Sequence, residues 1–133
     1  MIVVDTSVLV DFFRGRETPA VAYLVALEES GEPYAIPTLC CQELLQGARD
    51  EVEWELLQET LQTQHRLHPV DPWATHMQAA RLYFECRRRG VTIRSTIDCL
   101  VAQLVIEVDG TLLHSDQDFV RLASVHPLRL WAG

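Results

Sequence analysis

"MIVVDTSVLVDFF", residues 1–13, puts a carboxylate at the end of one apolar run and follows it with two hydroxyls and a second apolar run. Ile2, Val3 and Val4 are β-branched, and the run is short, which reads as a strand buried on both faces. From Ser7 onward the apolar residues take helical spacing. Asp5 therefore stands where a buried strand stops. A merely solvated acid has little reason to sit there.

The same alternation continues along the chain. Thr18-Pro19 is a cap followed by a first-turn proline, so 19–30 reads as a helix, closed by Gly31. "PYAIP" (33–37) is a brief strand, and Thr38 can cap a helix over "LCCQELLQGA" that stops near Gly47 and Ala48. Residues 51–62 are amphipathic, with Val52, Leu56, Leu57 and Leu61 expected to form one buried stripe. A third strand is expected over 65–70. Asp71-Pro72 opens a helix reaching Arg89, before Gly90. Ser95 or Thr96 caps an apolar helix over 97–108, a strand covers 111–114, a short helix lies in "SDQDFVRLA", and 128–131 is a last strand. Strands that alternate with helices predict a mostly parallel sheet covered on both faces, a three-layer α/β/α domain spanning 1–133. Ligands of such sheets bind beyond the carboxyl ends of the strands, where strand order reverses.

Bulk composition narrows the function classes. The 133 residues are 48% hydrophobic, enough for one sizeable core. No apolar run approaches the roughly 20 residues of a membrane span, and the N-terminus does not resemble a secretory signal. Cys40, Cys41, Cys86 and Cys99 lack metal-ligand spacing and read as buried, reduced thiols of a cytoplasmic protein. All eleven basic residues are arginine, which excludes a phosphate-binding loop built on lysine. With a net charge of −8, the overall field would repel nucleic acid. A polyanionic ligand would need a local basic patch, a cation, or both.

Five acids invite a common explanation. Asp5 and Asp116 fall at the carboxyl ends of the first and fourth strands, Glu43 lies among apolar helix neighbours, Asp98 is in the first turn of a helix, and Asp118 follows Asp116. Singly, each has an ordinary role: Asp98 favours a helix dipole, Asp116 caps a helix, Glu43 faces solvent. Together they would crowd several charges into one cleft. Two carboxylates ~4 Å apart repel by about 4 kcal/mol at an effective dielectric near 20, which calls for protonation or a cation. All-oxygen ligation favours Mg²⁺ or Mn²⁺ over zinc, and such sites suit phosphodiester hydrolysis.

With these residues assembled, the chain resembles the PIN-domain ribonucleases, and among them the VapC-type toxins of toxin–antitoxin modules. The likeness rests on "MIVVDTSVLVDFF", on Glu43 within its helix, on "IDCLVAQ" around Asp98, and on "LLHSDQDF". It implies a parallel five-stranded sheet and Mg²⁺- or Mn²⁺-dependent endonuclease action on RNA. Asp5, Glu43, Asp98 and Asp116 match the family's acidic quartet, with Asp5 and Asp98 closest to the metal. Asp118 matches an additional acid of lower rank, and Thr6 or Ser7 would orient Asp5 or bind phosphate. The resemblance also implies a homodimer and a cognate antitoxin whose arginine enters the cleft.

Other features carry weaker expectations. "CRRRGVTIR" (86–94) offers Arg87, Arg88, Arg89 and Arg94 to RNA phosphates, or simply cations to a helix C-terminus. His114 ends the fourth strand beside the acids. Trp54, Trp73 and Trp131 read as packing residues. A non-catalytic module whose acidic cleft holds a partner's arginines is the main alternative function. A phosphotransferase using Asp5 as nucleophile is disfavoured by the absence of lysine and by Ser7 two positions on.

Overall fold

The computed structural model describes residues 1–133. In order these form β1 (Ile2–Val4), α1 (Thr6–Phe13), α2 (Pro19–Ser30), β2 (Tyr34–Pro37), α3 (Thr38–Gln46) and α4 (Glu51–Gln62). β3 (Arg66–Leu67), α5 (Pro72–Arg88), α6 (Thr96–Glu107), β4 (Thr111–Leu113), α7 (Gln117–Ala123) and β5 (Arg129–Leu130) complete the chain. All strand pairings are parallel and the sheet order is β3-β2-β1-β4-β5. The chain moves outward from β1 to β2 and β3, then returns to the other side of β1 for β4 and β5. Strand order thus reverses at β1, and the crevice beyond β1 and β4 is where this architecture receives ligands. Right-handed crossovers from that order put α1–α4 on one face and α5–α7 on the other. The helix contacts follow this division: α1 packs on α2 and α3, α3 on α4, and α6 on α5 and α7.

Val3, Val4, Ile36, Leu112 and Leu113 fill the middle layer and are buried. α6 contributes Val101, Ala102 and Val105 to the same core, as its unbroken apolar sequence requires. Thr18 caps α2 by accepting the Val21 N–H, and Gly31 ends it at φ 73°, a left-handed conformation that glycine adopts without a Cβ clash. Cys40, Cys41, Cys86 and Cys99 are buried free thiols. No helix is long and apolar enough to cross a membrane.

Several local expectations are corrected. In α4 only Leu57 and Leu61 are buried, while Val52 is 78% and Leu56 57% exposed. Leu56 lies about 100° around the helix from Leu57, on a side that no element covers. β3 shrinks to two residues at the sheet edge, ahead of Pro69, which cannot donate to a ladder. Thr38 is the first residue of α3 and not its cap, because β2 pairs as far as Pro37 and runs straight into the helix. Trp73 is 74% exposed and packs nothing. Trp131 does pack, stacked on Tyr23 at 4.8 Å.

Candidate metal centre

One residue separates β1 from α1, and it is Asp5. Its backbone N–H extends the sheet by donating to the Leu113 carbonyl at 3.0 Å, and its side chain caps α1 by accepting the Ser7 N–H at 3.0 Å. The Ser7 hydroxyl donates to the same Oδ2 at 2.6 Å and accepts the Ser115 N–H at 2.9 Å, so it links the exits of β1 and β4. The buried Cys40 thiol lies 3.7 Å from Asp5 Oδ1. Burial and the neighbouring Asp5 charge push that thiol far above its usual range, so it stays protonated and acts as a donor.

Thr6 does not orient Asp5. Its hydroxyl donates to Glu43 Oε1 at 2.9 Å, pinning a side chain from α3 over the start of α1. Asp116 caps α7 by accepting the Asp118 N–H at 2.9 Å, and its own N–H donates to His114 Nδ1 at 3.1 Å. Burial holds His114 below its usual pKa, so its neutral ring serves as an acceptor beside the site.

One carboxylate oxygen from each of Asp98, Asp116 and Asp118 lies within 4.8 Å of the other two. The pKa of the half-buried Asp98 is raised to about 7, first by desolvation, then by the charges of Asp5, Asp116, Asp118 and Glu43. Asp98, Asp116 and Asp118 thus meet beyond the strand ends, with Asp5 and Glu43 near enough for their charges to act on Asp98. Asp118 is the most buried of the three, 2% exposed, and it is also the most fully engaged. It accepts the Arg94 N–H at 3.0 Å and the Arg121 guanidinium at 2.7 Å, with the Arg94 guanidinium 3.6 Å away.

A search against family descriptions matches the PIN domain over residues 2–125. The chain belongs to the PIN-domain family. Ribonuclease VapC11 of Mycobacterium tuberculosis is 33% identical over 130 residues, covering 97% of this chain and 96% of that protein. Among solved structures, VapBC-1 of nontypeable Haemophilus influenzae superposes with a TM-score of 0.73 at 16% identity, covering 98% of this chain and 97% of the other. VapBC2 of Rickettsia felis, bound to a DNA fragment from its promoter, gives 0.68 at 18% identity, covering 99% and 100%. At such identities the two structures establish the shared fold.

The donor set of this PIN domain fits a hard divalent cation. Ser7 and Cys40 donate to Asp5, Thr6 to Glu43, the Asp118 N–H to Asp116, and both arginines attend Asp118. No protein donor reaches Asp98. Carboxylates 4.8 Å apart repel by roughly 3 kcal/mol at an effective dielectric of 20, which a cation held by Asp98 and Asp116 would offset. Asp5 and Glu43 lie outside the tight trio but near enough to act on Asp98. In the sequence Cys40 reads only as a buried thiol, not as a partner of Asp5, and Arg121 is not singled out. The i, i+3 spacing from Asp118 was an available signal for Arg121; the contact of Cys40 spans 35 residues and left none.

Proposed function

We propose that this PIN domain is an Mg²⁺- or Mn²⁺-dependent endoribonuclease, the toxin of a type II toxin–antitoxin module. One observation carries the reading: Asp98, Asp116 and Asp118 bring oxygens within 4.8 Å of one another at the strand-order reversal, under the further charge of Asp5 and Glu43. Asp98 and Asp116, with Asp5 across the crevice, would hold the cation. When bound, the cation supplies Lewis acidity and offsets the charge that builds on the phosphate oxygens. Thr6 fixes Glu43 through Oε1 and leaves Oε2 to accept the proton of a water that attacks the phosphorus in line, while the opposite bridging P–O bond breaks and its leaving oxygen takes a proton from solvent. Ser7 holds Asp5 in one rotamer throughout, so the cleft meets the substrate already arranged.

The partners follow from the same cleft and the family. The substrate is RNA, and a cognate antitoxin restrains the enzyme by placing an arginine against the acids; the working unit is a homodimer in the cytoplasm. The kinship with a protein named as a VapC ribonuclease over nearly the whole chain supports this assignment. The test is incubation of the purified protein with total cellular RNA and Mg²⁺, followed by sequencing of the new ends. Discrete cleavage by wild type and none by Asp5→Asn is expected. Equal cleavage by both proteins sinks the proposal.

A further inference from the structure

We infer that Arg94 and Arg121 form a paired phosphate clamp on the rim of the acidic cleft, anchored by the buried Asp118. This deepens the nuclease reading and rests on it. Asp118 Oδ1 faces both guanidiniums, Nη1 of Arg121 at 2.7 Å and Nε of Arg94 at 3.6 Å, while Oδ2 accepts the Arg94 N–H. A single arginine together with that backbone N–H would satisfy one carboxylate. A second guanidinium is more than that carboxylate needs, and it places a further cation beside the acids in a chain whose overall field repels polyanions.

Donors of both guanidiniums remain free. Arginine carries five N–H donors in a planar fork suited to phosphate. Arg121 uses one of them on Asp118, and the Arg94 side chain stands beyond hydrogen-bond reach of it. The Arg94 side chain is 72% exposed and that of Arg121 43%. Their shared anchor lies within 4.8 Å of Asp98 and Asp116 oxygens, so both forks flank the place where a phosphodiester would be cut. No other arginine is ion-paired to one of the five acids; Arg49, which shares a cavity with Glu43, is paired with Glu53. Arg88 lies against Glu85 and over Phe84, Arg87 lies over Tyr83, and Arg129 pairs with Asp109 at the amino end of β4 and β5, away from the strand exits. Of the sequence's basic stretch, Arg94 alone has this placement, and its partner is Arg121 on α7.

The ligand is an RNA phosphate next to the scissile one. The probe is a fluorescently labelled tRNA pool in EDTA, so that it stays intact, with affinity followed against NaCl concentration. Arg94→Gln and Arg121→Gln should each weaken binding about 3- to 10-fold at low salt and flatten the log K against log salt slope by about 0.7–0.9. Arg129→Gln should do neither. Asp118→Asn removes the charge that anchors both guanidiniums, so it should itself weaken binding and both arginine losses should shrink in that background. The clamp is overturned by unchanged affinity and slope, by losses of undiminished size in the Asp118→Asn background, or by an equal loss in Arg129→Gln. It is equally overturned if the variants weaken antitoxin binding alone. The readout is independent of cleavage, so a wild type that binds the pool yet cuts no RNA would contradict the nuclease reading and leave the clamp standing.

Discussion

The Ser7 hydroxyl donates to Asp5 Oδ2 at 2.6 Å. It also accepts the Ser115 N–H, so one side chain sets both the rotamer of the acid and the spacing of the β1 and β4 exits across the crevice. Ser7→Ala removes a donor to an ionised group and strands a backbone N–H, a loss of about 1–3 kcal/mol. RNA cleavage should fall roughly 10- to 100-fold in kcat/KM at about 1.4 kcal/mol per tenfold, and Ser7→Thr should restore most of it. Undiminished turnover in Ser7→Ala would mean that Asp5 needs no such support.

Asp98 should make the metal-free protein sensitive to pH. Its pKa moves from 3.8 to about 7 on folding. Between those values the unfolded chain has lost a proton that the folded chain keeps. The contribution is therefore full below about pH 4, declines as pH rises through 7, and is gone above. A divalent cation favours the ionised form, so Mg²⁺ should raise Tm more at pH 8 than at pH 5.5. Thermal unfolding across pH, in EDTA and in Mg²⁺, reads both effects. Asp98→Asn should flatten the pH slope and most of the Mg²⁺ response; retention of both would remove Asp98 from the centre.

Asp118 is expected to act as a structural anchor and not as a main cation ligand. Asp118→Ala leaves the Arg94 N–H without an acceptor and two guanidiniums without a partner. Because both arginines are partly exposed, the expected cost is nearer 1–3 kcal/mol than that of a fully buried pair. Chemical denaturation in EDTA should show that loss, and the Mg²⁺-induced rise in Tm should survive. A variant of wild-type stability that no longer responds to Mg²⁺ would reverse the assignment.

The two rows of α4 should separate cleanly by mutation. Leu57→Ala empties a buried position and should cost about 2–4 kcal/mol. Leu56→Ala and Val52→Ala alter exposed side chains and should each stay within about 0.5 kcal/mol. Urea midpoints measured at equal m-values would decide the matter. A large cost at Leu56 would indicate a covering partner in solution.

The order of elements was open to reading from local chemistry, since strands, caps and stops are written in neighbouring residues. Ile2–Val4, Thr18-Pro19 with Gly31, and Asp71-Pro72 each specify their geometry within a turn or two. The acids were legible as well, because Asp5 ends a buried strand where a merely solvated carboxylate has little reason to sit, and Asp116 follows another strand exit. Errors arose where a neighbour distant in sequence decides. Leu56 and Leu57 have the same intrinsic hydrophobicity, and only the absence of a covering element leaves one in solvent.

By itself, then, the sequence determined the α/β alternation, the strand exits and the set of acids that can share a cleft. Tertiary structure alone decided who supports whom: Thr6 under Glu43, Cys40 under Asp5, and Arg94 with Arg121 on Asp118. The physical reason is range. Capping and periodicity act over a few bonds, whereas hydrogen bonds and ion pairs between elements depend on distances that exist only once the sheet has brought its carboxyl ends together.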